Sequence, residues 1–454
     1  MSYIEFCRKA VKTAQKAGAK EAEAFVFDTR STSVEIERGE IKASSNITDV
    51  GLAVRAISNG KIGFAYTNAL NKEEIEKAAK KAVSASTASL KDKNWRRLPE
   101  KKRYPTVKNT YDRRILEVTS DKAVEFCQKM IAVSADVDKR VLAAFGGTEL
   151  SSQEGACVNS NGVEVQDKGT FLVCYLGAMA RSESQVSPVC SSFKATRTYK
   201  PDPEWVAKEA ARLAADALNV GKAEAGKFPV LLDPQAFQAI LTYTFIQSIK
   251  GDIVHRGRSM LKNKTGKKIA SSNISIYDDG TLAGGLYTGK ADTEGVPKQR
   301  TPIIEDGVLR KFIYDNYWAR LSKKESTGNA GRGGGSLNLP AYCTVPSITP
   351  TNIVLKPGTA SEQELLKEIK NGYYVRSVQG AHQSNPETGD FSVALAPAWK
   401  IEKGEIIHAV KGTMIAGNAY QMLQKISLIG KDARQVGNFI SPKVVVSELN
   451  IISK

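Results

Sequence analysis

Apolar residues at Ile4, Cys7, Val11 and Ala14 recur at the spacing of one helix face, and Gly18 follows as the residue that ends it. The pattern then changes to alternation. Phe25–Asp28 and Ser33–Arg38 read as separate strands, the second with Val34 and Ile36 inward and Glu35 and Glu37 outward. Val50–Ile57 and Ile62–Thr67 form a further pair joined by Ser58-Asn59-Gly60-Lys61, where Asn-Gly supplies the positive φ angles of a tight hairpin. Asn71 is placed to cap a helix over Lys72–Ser86, with Glu73 and Glu74 in its positively polarised first turn. The expected unit is α-β-β-β-β-α.

The central pattern gives a helix from about Asp121 to Ser134 and strands near Arg140–Thr148, Glu154–Asn159 and Val163–Arg181. Asn159-Ser160-Asn161-Gly162 is a turn. A helix over Pro203–Asn219 carries the stripe Val206, Ala210, Leu213, Ala214 and Ala217. From Phe228 onward the reading is strand, a helix over Gln235–Lys250, a long loop, hairpins and terminal strands. Helices and hairpins do not alternate regularly, so the fold class is α+β with mixed and antiparallel sheets. The expected divisions are an N-terminal unit over 1–90, a basic linker over 91–110, a central unit over 111–225 and a C-terminal unit over 226–454.

At 454 residues, 41% hydrophobic and 25% charged, this is the composition of an ordinary globular protein with more than one core. The amphipathic N-terminus lacks the apolar stretch of a signal peptide, and no run of eighteen apolar residues occurs, so a cytosolic, non-membrane protein is expected. The six cysteines are scattered without a Cys-x-x-Cys pair and are expected to be free thiols. The net charge of +17 suits either nucleic acid or acidic partners. Between 91 and 108 eight basic residues stand against Asp92 and Glu100, with Trp95 and Tyr104 interleaved. That is the composition of a nucleic-acid-binding arm, and equally of a solvated connector, which is the expectation here.

Conventional catalytic patterns are missing. His255, His382 and His408 are the three histidines, and none has a Glu or a second His at helical ligand spacing. Gly284 to Lys290 approaches a P-loop, but Ala291 replaces the hydroxyl residue and no helix start follows. Asp278-Asp279 and Glu305-Asp306 precede glycine and read as turns.

The C-terminal half carries a connected series of motifs. Gly251-Asp252 follows the helical segment; then come Asp278-Asp279-Gly280-Thr281, Asp292-Thr293-Glu294-Gly295 and a hairpin from Pro302–Glu305 through Asp306-Gly307 into Val308–Tyr314. Thr327-Gly328-Asn329 opens a glycine-dense patch reaching Ser336, and Thr388-Gly389-Asp390-Phe391-Ser392 precedes Ile401-Glu402-Lys403-Gly404. This series resembles the TldD/PmbA (TldE) family, formerly called modulators of DNA gyrase and regarded as two-subunit peptidases. In the catalytic TldD type, a His-Glu-x-x-x-His motif sits on the helix before the matching Gly-Asp. Counting back from Gly251, those places hold Thr242, Tyr243 and Gln247. The third zinc ligand of that type is a cysteine near its C-terminus, whereas no cysteine follows Cys343 here.

The resemblance therefore implies the PmbA/TldE-type subunit: no cofactor bound by this chain, zinc in a TldD-like partner, and a role in closing the chamber and positioning small unfolded peptides. It implies a heterodimer with that zinc-containing chain, and a surface for a homologous partner also permits homodimerisation in isolation. The implied substrate path runs along Asp279, Gly280, Thr281, Thr388, Gly389, Phe391 and Ser392. Two other readings stay open: a homo-oligomeric hydrolase with an unrecognised site, and a nucleic-acid-binding or gyrase-modulating protein that uses the basic linker.

Overall fold

The computed structural model describes residues 2–333 and 339–453. Residues 334–336 of the glycine-dense patch lie outside them.

The N-terminal alternation builds an antiparallel six-stranded sheet in the order 61–67, 40–58, 21–37, 141–159, 164–180, 190–196. Residues 21–67 and 141–196 thus share one ladder. Where separate strands were expected, Glu21–Glu37 and Val141–Asn159 each run unbroken, so the first unit is α-β-β-β-α. The polar stretches that suggested breaks lie side by side, Thr29 opposite Gln153 and Ser31 opposite Ser151. Each backbone thereby satisfies its neighbour without needing an apolar face. The turns at Asn59-Gly60 and Gly162 form where expected, with positive φ.

Tyr3–Lys16 and Lys72–Ala88 cover one end of this sheet, burying Cys7, Ala10, Ile75 and Ala79 against Val26, Leu52 and Val54. Asn71 caps the second helix through the backbone N–H of Glu74. Ser120–Val137 and Pro203–Asp216 cover the other end around Leu172, Cys174 and Leu176.

The C-terminal half holds two further sheets of six and ten strands. One has the strand order 308–309, 300–305, 276–279, 353–355, 439–441, 434–436. The other has ten strands, with 444–453 paired to 226–232 at its centre and 405–410 followed by 220–221 at one edge. The hairpin at Asp306-Gly307 forms with both residues at positive φ, but its second arm pairs only over Val308–Leu309. Phe237, Phe245, Tyr373, Phe439 and Val446 lie in the core between the sheets. Among the described residues no helix is long and apolar enough to cross a membrane, and all six cysteines are free thiols.

The expected connector at 91–110 is a strap fixed to the protein. Glu21 accepts hydrogen bonds from Trp95 Nε1 at 3.0 Å and from the Leu98 N–H at 2.9 Å, and Asn159 Nδ2 donates to the Pro99 carbonyl. Leu98 is fully buried, while Tyr104 donates to the Gly295 carbonyl. Like charges did not free this segment because its apolar and aromatic residues found partners on both sides.

Candidate functional site

The segment at the zinc-motif positions is not one helix. Asp233 caps Pro234–Thr242, and the helix ends at Tyr243. Thr244 then leaves helical geometry, with φ −126° and ψ −94°, and its hydroxyl bonds back to the Ile240 carbonyl. A short turn, Phe245–Ser248, precedes Gly251–His255. The expected continuous helix over Gln235–Lys250 is therefore interrupted between the second and third motif positions. Thr242 Oγ1 accepts from Gln238 Nε2, and the Thr242 carbonyl accepts from Gln247 Nε2, both at 2.9 Å. Tyr243 is exposed, its ring 6.4 Å from that of His382 in an edge contact.

A zinc ion requires deprotonated N, S or O donors converging on one point. Hydroxyl, phenol and carboxamide groups at 242, 243 and 247 do not fit, and Thr242 and Gln247 are already hydrogen-bonded along the segment. Among the described residues, no three His, Cys, Asp or Glu side chains are grouped to hold a metal ion. His255 lies beside the Trp318 ring and 3.4 Å from the Ser322 hydroxyl. His408 Nε2 lies 3.0 Å from the Lys222 carbonyl.

Of the implied substrate path, the 388–392 group adjoins this segment and the 279–281 group does not. Ser248 Oγ donates to the Pro386 carbonyl and meets the Tyr420 hydroxyl at 2.5 Å. The Tyr420 ring lies against Gly389, whose φ of +83° and a ring atom 2.5 Å from an added Cβ require glycine. Asn385 receives the N–H groups of Glu387 and Thr388, and Thr388 Oγ1 donates to Asp390. Phe391 belongs to the buried core, and Ser392 is exposed on the following strand. Asp279, Gly280 and Thr281 close a strand of the other large sheet: Asp279 Oδ1 accepts from the Thr281 N–H and hydroxyl.

Around that strand the structure buries several carboxyl groups. Asp278 accepts from Asn329 Nδ2 and from the N–H and hydroxyl of Thr351, at 2.7 and 2.8 Å for the latter two. Burial pushes its pKa up to about 6 against the opposing effect of those donors. Asp292 accepts from the N–H groups of Glu294, Val296 and Ala330. Burial and then the Glu294 charge raise its pKa. Asp315 caps Asn316–Leu321 and is raised by the same two causes.

Glu294 joins this loop core to the first sheet. Arg55 lies 2.8 Å from both Glu294 and Glu23, and Glu23 also bonds Arg332. Sequence reasoning missed this clasp, because isolated charges in alternating strands read as solvent-facing. Arg55 lying within the apolar run Val50–Ile57 was the available signal.

This architecture is of the PmbA/TldA metallopeptidase class. The family model for its C-terminal domain matches residues 225–453, and those for domain 1 and the central domain match 22–86 and 113–218. TldE from Thermococcus kodakarensis has the same fold, with TM-score 0.93 and 29% identity over 99% of this chain and 100% of that one. An uncharacterized protein of Methanocaldococcus jannaschii is 32% identical over 96% of this chain and 97% of its own length. A "Metalloprotease TldD homolog" of Buchnera aphidicola is 27% identical over 88% of this chain and 83% of its own. The chain belongs to the PmbA/TldD family.

Proposed function

We propose that this chain is the metal-less subunit of a two-subunit peptidase: it pairs with a zinc-bearing TldD-like chain, closes the proteolytic chamber and helps hold small unfolded peptides. The observation that carries this reading is the set Thr242, Tyr243 and Gln247 on a segment broken at Thr244. Those groups supply no ligand set and no general base, so the chain's contribution is shape and backbone contact. Of the path residues, Gly389 lies against Tyr420, whose hydroxyl meets Ser248 of the broken segment, Thr388 precedes it in the same loop, and Phe391 supports from the core the strand that exposes Ser392. Asp279, Gly280 and Thr281 contribute a rigid turn on the neighbouring sheet.

Elemental analysis and peptide hydrolysis, measured on the chain alone and with a TldD-like chain, test the reading. The expected outcome is no stoichiometric zinc and no cleavage alone, with co-elution and cleavage in the mixture. About one zinc per chain in the isolated protein, lost in Asp252→Ala or His255→Ala, overturns it.

A further inference from the structure

A cleft of about 1070 Å³ lies at the opposite end of helix 234–242 from Thr242, bordered by Asp233 and Pro234. The edge strands of two large sheets meet there with the next-to-edge strand of the ten-stranded sheet. Phe193, Lys194 and Ala195 belong to 190–196, the edge of the first sheet. Ile406, Ile407 and His408 come from 405–410, and Arg434 and Gln435 from 434–436, the edge of the second sheet. Successive side chains of a strand point to opposite faces. Consecutive residues line the cleft, so it is the backbone edges themselves that border the space.

Strand 405–410 is covered on its outer side only at Ala409 and Val410, which pair with Val220 and Gly221. Among the described residues Glu405 to His408 have no strand on that side; Asn219 reaches the Ile407 carbonyl through Nδ2 at 3.3 Å and accepts from the Ala409 N–H at 2.7 Å, and His408 Nε2 lies 3.0 Å from the Lys222 carbonyl, which leaves the backbone from Glu405 to Ile407 the more open part. An uncovered edge inside a walled cleft is a template for an added strand.

The walls define the chemistry of that strand. Six carboxylate residues line the cleft against four lysines and arginines, two net negative charges in a chain of net charge +17. Among the described residues Asp432 is exposed with no ionic partner, and Asp216 pairs only with Arg212, at 3.3 Å. Trp205 is 38% exposed, and the stacked rings of Tyr374 and Trp399, 5.4 Å apart, line the same space. The protein's own cations already occupy the aromatic faces, Lys194 and Arg434 over Trp205 at 5.9 and 5.2 Å and Lys443 over Tyr374 at 4.9 Å, which leaves Asp216 and Asp432 to receive a cation from outside.

We propose that this cleft binds a basic peptide in extended form, adding it as a strand along Glu405 to Ile407, with its Lys or Arg side chains directed to Asp216 and Asp432. The proposal does not rest on the subunit reading. It is tested on the isolated full chain, without metal or partner, so either can fail while the other stands.

The test is fluorescence anisotropy with three labelled peptides: repeated Lys-Val, repeated Glu-Val, and repeated Lys-Val with N-methylated valines. The Lys-Val peptide is expected to bind, with the other two weaker by about tenfold or more, since one loses the charge and the other the backbone donors. Asp216→Asn combined with Asp432→Asn should weaken the Lys-Val peptide by about tenfold, with circular dichroism confirming the unchanged fold. No binding of that peptide, equal binding of all three, or full affinity in the double variant overturns the proposal.

Discussion

The clasp and the loop core bury the same kinds of charged residue only a few positions apart, yet balance them differently. In the clasp, Arg332, Glu23, Arg55 and Glu294 alternate in sign, and Glu294 also accepts from the Asn316 N–H. Burial works against the Arg55 charge, but Glu23 and Glu294 outweigh it and hold its pKa above the ordinary value. In the loop core, Asp278 and Asp292 receive mainly backbone and uncharged donors, and burial raises both. Ion pairs keep charge at every accessible pH, whereas neutral donors leave a carboxyl that takes up a proton. The first arrangement joins two parts of the chain permanently, and the second ties local fold to pH.

The largest effect should come from removing the shared cation. Arg55→Met leaves Glu294 buried with only a backbone donor and Glu23 with one arginine. The expected loss is about 3–5 kcal/mol, read from urea unfolding at neutral pH. The exposed pair Arg8–Glu164, bidentate at 2.6 and 2.7 Å, is the control, and Arg8→Ala should leave the unfolding midpoint unchanged. Equal effects at the two sites would erase the distinction between clasp and surface.

Next in size is the pH response of the loop core. An unfolded aspartate titrates near 4, roughly two units below folded Asp278. Between those values the folded chain keeps a proton that the unfolded chain has released, so stability falls as pH rises from about 4 to about 6. Asp292 and Asp315, also raised, extend the decline upward. Asp292→Asn should flatten the upper part of that profile. It should also cost about 1–3 kcal/mol even in acid, because the carboxamide retains the Glu294 and Val296 donors but turns an N–H toward that of Ala330. A profile as steep as that of the parent protein would remove Asp292 from the titrating set.

What could be read in advance follows the range of the interaction. The Asn71 cap, the turn at Asp306-Gly307 and the Asp279–Thr281 turn each depend on residues a few positions apart, and all three form. The continuity of 21–37 and 141–159 was hidden, because a polar strand segment is stabilised by its neighbour's backbone rather than by its own alternation. The break at Thr244 was equally hidden, since the apolar periodicity of 235–250 continues through it. At the candidate site, the residues at 242, 243 and 247 were singled out by the family resemblance, counted back from Gly251. The clasp was not, with Arg55 and Glu294 separated by 239 positions.

The smallest test separates the two modes within one residue's surroundings. Thr351→Val keeps the shape of the side chain and removes one hydroxyl donor to Asp278, while the backbone N–H stays at 2.7 Å. A neutral carboxyl needs that donor less than a carboxylate does. The cost should therefore be about 1 kcal/mol or less in acid and larger above the Asp278 pKa of about 6. Loss of a donor to the charged form also moves that pKa further up, so the decline in stability extends to higher pH. Urea midpoints of the two proteins should draw apart with rising pH. A constant difference would mean that Asp278 stays charged across the range and that its donors, rather than a proton, compensate for burial.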